Sequence, residues 1–276
     1  MSLNTLNKIS FIGAGNMAKA ILQGLLNDGL DPQKVWITTR TEASRAQLQS
    51  QLGVRAAANN VEACQDADLI VLAVKPQMLA DVCAEIQAHI PAQALLVSVA
   101  AGIRCASLEA WLGPKAIVRT MPNTPSAIGM GACGLFANAH TSPNQIALAT
   151  ELMSATGLVV TLEDEAQIDA VTAVSGSGPA YFFLFIEAMT EAGVSLGLSE
   201  AQASLLARHT ARGAAQLALE SELDVAALRQ QVTSPKGTTE QAILNFENNG
   251  LRAIVREAME ACAARAAELS DELGSR

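Results

Sequence analysis

The chain has 276 residues, half of them hydrophobic but only 3% aromatic. That length accommodates two domains better than one, and a core so poor in aromatics must be built from Ala, Leu, Val and Ile. A net charge of −9 argues against nucleic acid or an anionic membrane surface as partner, and the longest apolar run, 180–186, is far short of the roughly 20 residues a membrane span needs.

Residues 9–12, Ile-Ser-Phe-Ile, read as a strand that runs into a glycine loop, and a helix over 16–27 follows, stopped at Asp28-Gly29. A second strand is expected at 35–38 and a helix at 42–52, ended by Gly53. Residues 68–74 are almost continuously apolar, as a strand buried on both faces should be. Strands at 95–99, 116–119, 133–136 and 158–160 complete the set. Strand–helix alternation at this spacing predicts an α/β fold with a doubly wound, mostly parallel sheet over 1–163. Beyond it the strand-like runs vanish. Ala-rich segments of helical period occupy about 165–174, 179–194, 199–219, 224–231, 237–247 and 250–272, and Pro179 suits the first turn of its helix. Residues 164–276 are therefore expected to form an all-α domain.

The loop Gly13-Ala14-Gly15-Asn16-Met17-Ala18 fits GxGxxG/A between a strand and a helix, the context that a dinucleotide site requires. Gly13 allows the tight turn, Gly15 lets the backbone approach a pyrophosphate, and Ala18 allows close helix–strand packing. The second strand ends Thr38-Thr39-Arg40-Thr41 rather than in an acid. Arg40 with the Thr41 hydroxyl suits a 2′-phosphate, which favours NADPH and leaves NADH open. Glu42 could face the ribose instead, but reads more simply as a helix-start acid. Ala73-Val74-Lys75-Pro76 and the proline-stiffened Met121-Pro122-Asn123-Thr124-Pro125 end two further strands, where ligands of such sheets sit. Lys75 could reach a ribose or phosphate, or be a solvated lysine before a helix-starting proline. Asn123 could stand near the nicotinamide, or belong to a merely rigid connection.

Two turns in the helical half can take a small carboxylate on backbone N–H groups and hydroxyls. One is Ser177-Gly178-Pro179, for which a close helix–helix contact is the alternative. The other is Thr233-Ser234-Pro235-Lys236-Gly237-Thr238-Thr239, where Gly237 and Thr238 N–H groups and the Ser234 hydroxyl could cradle the acid. Cysteines at 64, 83, 105, 133 and 262 contain no CxxC pair, and His89, His140 and His209 lie near no acid cluster. Reduced thiols and no metal are expected. The N-terminus shows no basic start followed by an apolar stretch and cleavage site, so a cytoplasmic protein is expected.

These motifs resemble the pyrroline-5-carboxylate reductase family. The likeness runs from the stretch beginning Phe11-Ile12-Gly13, through Ala73-Val74-Lys75-Pro76-Gln77 and Met121-Pro122-Asn123-Thr124-Pro125, to Asp169-Ala170-Val171-Thr172, Ser175-Gly176-Ser177-Gly178-Pro179-Ala180-Tyr181 and the Thr-Ser-Pro-x-Gly-Thr-Thr turn. It implies a Rossmann-type nucleotide domain followed by an all-α substrate-binding and dimerisation domain, and NAD(P)H-dependent reduction of a cyclic imino acid to L-proline. It implies cofactor contacts at Asn60, Val99, Ala100 and Ala101, with Gln231 near the nicotinamide. Substrate contacts would fall on Glu165, Thr238 and Thr239, with the Thr239 hydroxyl on the ring nitrogen. It also implies dimers, in some members assembled as five dimers in a ring. Two positions depart from the pattern: Lys236, where the family turn usually has Gly, and His209, where Gln is common.

A cyclic imine needs little acid help, because its nitrogen can be protonated before hydride arrives; positioning then supplies the catalysis. Two rival readings are a β-hydroxyacid or imine dehydrogenase acting on another small acid, and a non-catalytic NADP-binding regulatory protein. The first would want a catalytic lysine in the helical half, where Lys236 in a turn is the only one. The second leaves the paired substrate turns without a purpose.

Overall fold

The central strand segments, Ile9–Ile12, Leu69–Leu72 and Leu95–Ser98, are short runs rich in Ile, Leu and Val, and each is buried along its whole length. The computed structural model describes residues 2–274. Eight strands form one sheet: β1 Ile9–Ile12, β2 Val35–Ile37, β3 Arg55–Ala56, β4 Leu69–Leu72, β5 Leu95–Ser98, β6 Ala116–Met121, β7 Gly131–Ala137 and β8 Gly157–Thr161. Their order is β3-β2-β1-β4-β5-β6-β7-β8. All neighbours run parallel except β6 and β7. The strand order reverses between β1 and β4, the switch point at which doubly wound sheets open a crevice.

The helices α1 Asn16–Asn27, α2 Glu42–Leu52, α3 Asn60–Cys64, α4 Pro76–Ile86, α5 Cys105–Leu112 and α6 Pro143–Ser154 cover this sheet. Alternate strand residues point to opposite faces, and two apolar layers result. Ile9, Phe11, Val71 and Val97 meet Ile21 and Leu22 of α1 and Leu152 of α6. Ile12, Ile70, Leu72 and Leu96 meet Leu79 of α4 and Leu108 of α5. The bounds of α1 and α2 fall where the sequence puts them, because Asp28-Gly29 and Gly53 end them. The 68–74 run is shorter as a strand, since its last residues turn into the α4 start.

The segment 165–174, expected as one helix, is α7 Gln167–Val171 followed by a π-helical turn over Thr172–Gly176. Four helices then follow, α8 Gly178–Ser195, α9 Glu200–Glu220, α10 Val225–Gln231 and α11 Thr238–Asn248, before the last, α12 Leu251–Gly274. By packing, the chain divides into two units. The first runs to Ser177 and takes in the chain again from Cys262; the second is Gly178–Ala261.

Within the second unit α8 packs on α9. A Cβ at Gly193 would stand 2.9 Å from the Ala203 Cβ, so a glycine facing an alanine sets that close approach. Phe185 and Phe246 meet with ring centroids 6.1 Å apart. Among the described residues of this unit only Gly178, Ala203 and Ala207 are buried, while Phe182, Phe183, Leu196 and Leu219 are 68%, 65%, 88% and 82% exposed. One copy of this unit therefore leaves much of its apolar surface uncovered.

Candidate active site

At the carboxyl ends of β1, β2 and β4 the first unit opens a cavity of about 330 Å³. Gly13, Ala14 and Gly15 form one wall, Thr39, Arg40, Thr41 and Ser44 a second, and Ala73, Val74 and Lys75 a third. Gly13 has φ 91°, and a Cβ there would lie 2.9 Å from the Ala73 carbonyl oxygen. Glycine alone fits that turn. Its N–H donates to Thr38 Oγ1 at 3.0 Å, which ties the loop to β2. A Cβ at Gly15 would meet nothing within 4 Å. Gly15 caps α1 with no side-chain hydrogen bond, so the first N–H groups of the helix face an open space fit for phosphate. A glycine cradle, an open helix start and a cation at the end of β2 suit a phosphorylated dinucleotide.

The other cofactor candidates of the first unit, Asn16, Met17, Asn60, Pro76, Val99, Ala100, Ala101 and Asn123, do not line this cavity. Asn16 and Met17 open α1, and Pro76 opens α4. Thr41 caps α2, its hydroxyl accepting the Ser44 N–H at 3.2 Å. Glu42, in the first turn of α2, is not part of the cavity wall. Asn60 starts α3 and donates to Glu85 at 2.8 Å. Val99, Ala100 and Ala101 follow β5, and the Ala100 N–H donates to Ser98 Oγ at 3.3 Å. Asn123 is buried as a brace: it donates to the Ser175 carbonyl at 3.0 Å and accepts the Ala132 N–H at 2.9 Å.

Glu165 lies just before α7. It accepts from Arg119 at 2.9 Å and from the Cys105 N–H at 2.8 Å. Arg119 stands on β6, 3% exposed. Sequence reading passed over this pair, although an arginine inside an apolar strand signals that a carboxylate must be near. Lys19, another residue missed from sequence, lines the cavity from α1. Burial pushes the Asp169 carboxyl up, and the nearby Arg119 and Arg104 guanidiniums only partly oppose it. Ser177 ends the π-helical turn, its N–H on the Thr172 carbonyl at 2.8 Å and its hydroxyl accepting from the Cys262 thiol at 3.3 Å. Burial pushes the Cys64, Cys83, Cys105 and Cys133 thiols up to about 12. Among the described residues no group of three His, Cys, Asp or Glu side chains is arranged to hold a metal ion.

In the second unit Gln231 ends α10 and is exposed. The turn after it brings Ser234 and Gly237 together: the Gly237 N–H donates to the Ser234 carbonyl at 3.0 Å, so that donor is spent inside the turn. A Cβ on Gly237 would lie 2.9 Å from the same oxygen. Lys236 takes φ 59°, and its N–H donates to Glu240 at 2.7 Å. Gly237 caps α11 without a side-chain bond. Exposed Thr238 and Thr239 therefore present the first N–H groups and two hydroxyls at a helix start.

A switch-point cavity with a glycine cradle, joined to a helical unit with a Thr-Thr helix start, defines a dinucleotide-dependent oxidoreductase with a Rossmann-type unit. The family model for pyrroline-5-carboxylate reductase dimerisation matches residues 165–269, and that for NADP oxidoreductase, coenzyme F420-dependent, matches 8–102. The pyrroline-5-carboxylate reductase of Pseudomonas aeruginosa is 51% identical over 97% of this chain and 98% of its own, and that of Vibrio alginolyticus 45% over 95% and 97%. The solved structure of the Coxiella burnetii reductase superposes with a TM-score of 0.93 at 44% identity, covering 96% of this chain and 98% of that one. The Plasmodium falciparum pyrroline carboxylate reductase with NADP bound superposes at 0.84 and 27% identity, over 97% and 99%. The chain belongs to the pyrroline-5-carboxylate reductase family.

Proposed function

We propose that the protein reduces the cyclic imine L-1-pyrroline-5-carboxylate to L-proline, the final step of proline biosynthesis, with NADPH preferred over NADH. The near-full-length likeness to the Pseudomonas aeruginosa reductase carries this reading. The bound cofactor supplies a hydride to the imine carbon, and the chain's own residues bind and orient. Gly13, Gly15 and the α1 start hold the pyrophosphate. Arg40, with Thr41, holds the 2′-phosphate; Ala73, Val74, Lys75 and Pro76 shape the opposite wall.

The substrate carboxylate is assigned to the N–H groups of Thr238 and Thr239 at the α11 start, with the Ser234 hydroxyl beside them. The Thr239 hydroxyl is assigned to the ring nitrogen, which carries its proton before transfer and needs no strong acid. Asn60, Val99, Ala100, Ala101, Asn123 and Gln231 as cofactor contacts, and Glu165 and Ser177 as substrate contacts, belong to the same proposal. The hydrogen bonds described above hold Asn60, Asn123, Glu165 and Ser177 in place, so any contact they make is from fixed positions.

The division into a nucleotide domain over 1–163 and a helical dimerisation domain over 164–276 is part of this reading. The apolar surface left exposed on the second unit supports a homodimer, and five dimers in a ring is the larger assembly proposed. A cytoplasmic setting accords with reduced, buried thiols. Among the described residues no helix is long and apolar enough to cross a membrane.

The test mixes purified protein, NADPH and the pyrroline acid and follows the NADPH absorbance band. Proline formed in step with NADPH consumed supports the reading. Cofactor bound without turnover would overturn it in favour of a regulatory protein.

A further inference from the structure

The cavity holds two cations besides Arg40: Lys75, which follows β4 on the opposite wall, and Lys19. Lys19 is the fourth residue of α1, and its side chain lines the same space as Arg40, Thr41 and Ser44. Lys19 and Arg40 are both exposed, and among the described residues neither side chain makes a hydrogen bond or ion pair. An unpaired cation one turn into a helix stands near the positive end of the helix dipole, a position that favours anions instead. Nothing in the local structure rewards a lysine there, and a bound anion would.

The anion needs to be strongly charged and local, because the chain as a whole carries −9. A ribose 2′-phosphate near neutral pH carries about −1.5 to −2 charges. One guanidinium leaves such a group under-compensated. Gln47 and Leu48 of α2, the helix after β2, line the same cavity as Lys19. That is the side beyond β2, where a site of this kind places the adenosine ribose. The pyrophosphate belongs to the N–H groups at the start of α1.

We propose that Lys19 is the second cation of the 2′-phosphate site, closing on that phosphate from α1 while Arg40 holds it from the β2–α2 turn, and so sets the choice of NADPH over NADH. This rests on the cofactor reading above. The Thr39 hydroxyl donates to the Thr41 carbonyl and the Thr41 hydroxyl to Ser44 Oγ, both at 2.8 Å, which leaves the Ser44 hydroxyl as the neutral donor for a remaining phosphate oxygen.

Titration of the full-length protein by calorimetry, without imine substrate, tests the assignment. The ligands are NADPH, NADH and adenosine 2′,5′-bisphosphate, each with the parent, Lys19→Gln, Lys19→Arg, Arg40→Ala and the Lys19→Gln, Arg40→Ala double variant. Lys19→Gln is expected to weaken NADPH and the bisphosphate about 10-fold, the loss of one exposed charge-assisted contact, and to leave NADH within about twofold. Lys19→Arg is expected to keep most of the affinity. The double variant with Arg40→Ala is expected to bind NADPH and NADH alike. Equal weakening of NADPH and NADH by Lys19→Gln would place the lysine on the pyrophosphate and overturn the proposal, as would no change in either. A parent that binds neither NADPH nor the bisphosphate overturns the cofactor reading itself. A parent that binds both but reduces no pyrroline acid overturns only the substrate reading, and the Lys19 comparison then still decides this one.

Discussion

The Arg119 guanidinium and the Glu165 carboxylate lie 2.9 Å apart, and the same carboxylate oxygen takes the Cys105 N–H at 2.8 Å. The Arg119 side chain is 4% exposed and that of Glu165 21%. One acid thereby ties β6, the start of α5 and the approach to α7. Breaking a buried pair by removing one partner leaves the other charge uncompensated. Arg119→Ala is expected to lower unfolding free energy by about 3–5 kcal/mol, read as a fall in the urea midpoint. Glu165→Gln, which keeps neutral hydrogen bonds, should lose less. A parent-like midpoint for Arg119→Ala would show that the pair holds nothing.

Asp169 gives a pH signature. Its folded carboxyl titrates above the unfolded value, burial being the larger cause. In the window between the two, the folded state holds more protons than the unfolded one, so stability falls as pH rises through it. Above the folded value the deficit is complete. Asp169→Asn should therefore be more stable than the parent at neutral pH, and the gap should close below about pH 4, where both carboxyl states are protonated. Denaturation midpoints of the two proteins at pH 7 and pH 3.5 check this; a gap independent of pH would refute it.

Lys236 adopts φ 59°. An L side chain in the left-handed region costs about 1–2 kcal/mol, and glycine's extra freedom when unfolded returns about 0.4–1 of it. Lys236→Gly should therefore stabilise by up to about 1 kcal/mol, and Lys236→Val, β-branched at a positive φ, should destabilise. Thermal melts of the three proteins decide it. Loss of stability on going to glycine would mean that the lysine side chain contributes more than its backbone costs.

The two threonines that open α11 diverge by about 100° around the helix, so one of them can face the ring nitrogen. With Thr239 in that role, Thr239→Ala should cut kcat by about 10- to 1000-fold through lost positioning. NADPH binding and thermal stability should stay nearly unchanged, and Thr239→Ser should recover much of the rate. A serine variant as slow as alanine, or both as fast as the parent, would make Thr239 a helix-start residue and nothing more.

Much of this molecule is legible in the sequence because punctuation and period agree. Asp28-Gly29 and Gly53 stop α1 and α2 at the residues that the apolar spacing suggests. Apolar runs, unbroken in β4 and with one serine each in β1 and β5, mark these strands because both their faces are buried. The two-residue strand β3 was missed: it is too short to show a period. The π-helical turn over Thr172–Gly176 was missed because its residues satisfy an ordinary helical pattern, and a single wider turn leaves no period of its own. Within the site, the glycine cradle could be read from its motif. The turn's internal use of the Gly237 N–H could not, because a backbone donor carries no side-chain signature. Lys19 and Arg119 were passed over for different reasons. One is a common residue on the exposed face of α1, and its meaning lies in what shares its cavity. The other needed a partner 46 residues away.

The four buried thiols have a consequence for the chemistry of the proposed substrate. In water a cyclic imine exchanges with its ring-opened amino aldehyde, an electrophile that thiolates capture. Cys64, Cys83, Cys105 and Cys133 are shielded in the first unit with pKa values near 12, so at neutral pH they are thiols and not nucleophiles. An enzyme handling such a compound at every turnover thus keeps four of its five thiols out of reach of the aldehyde form.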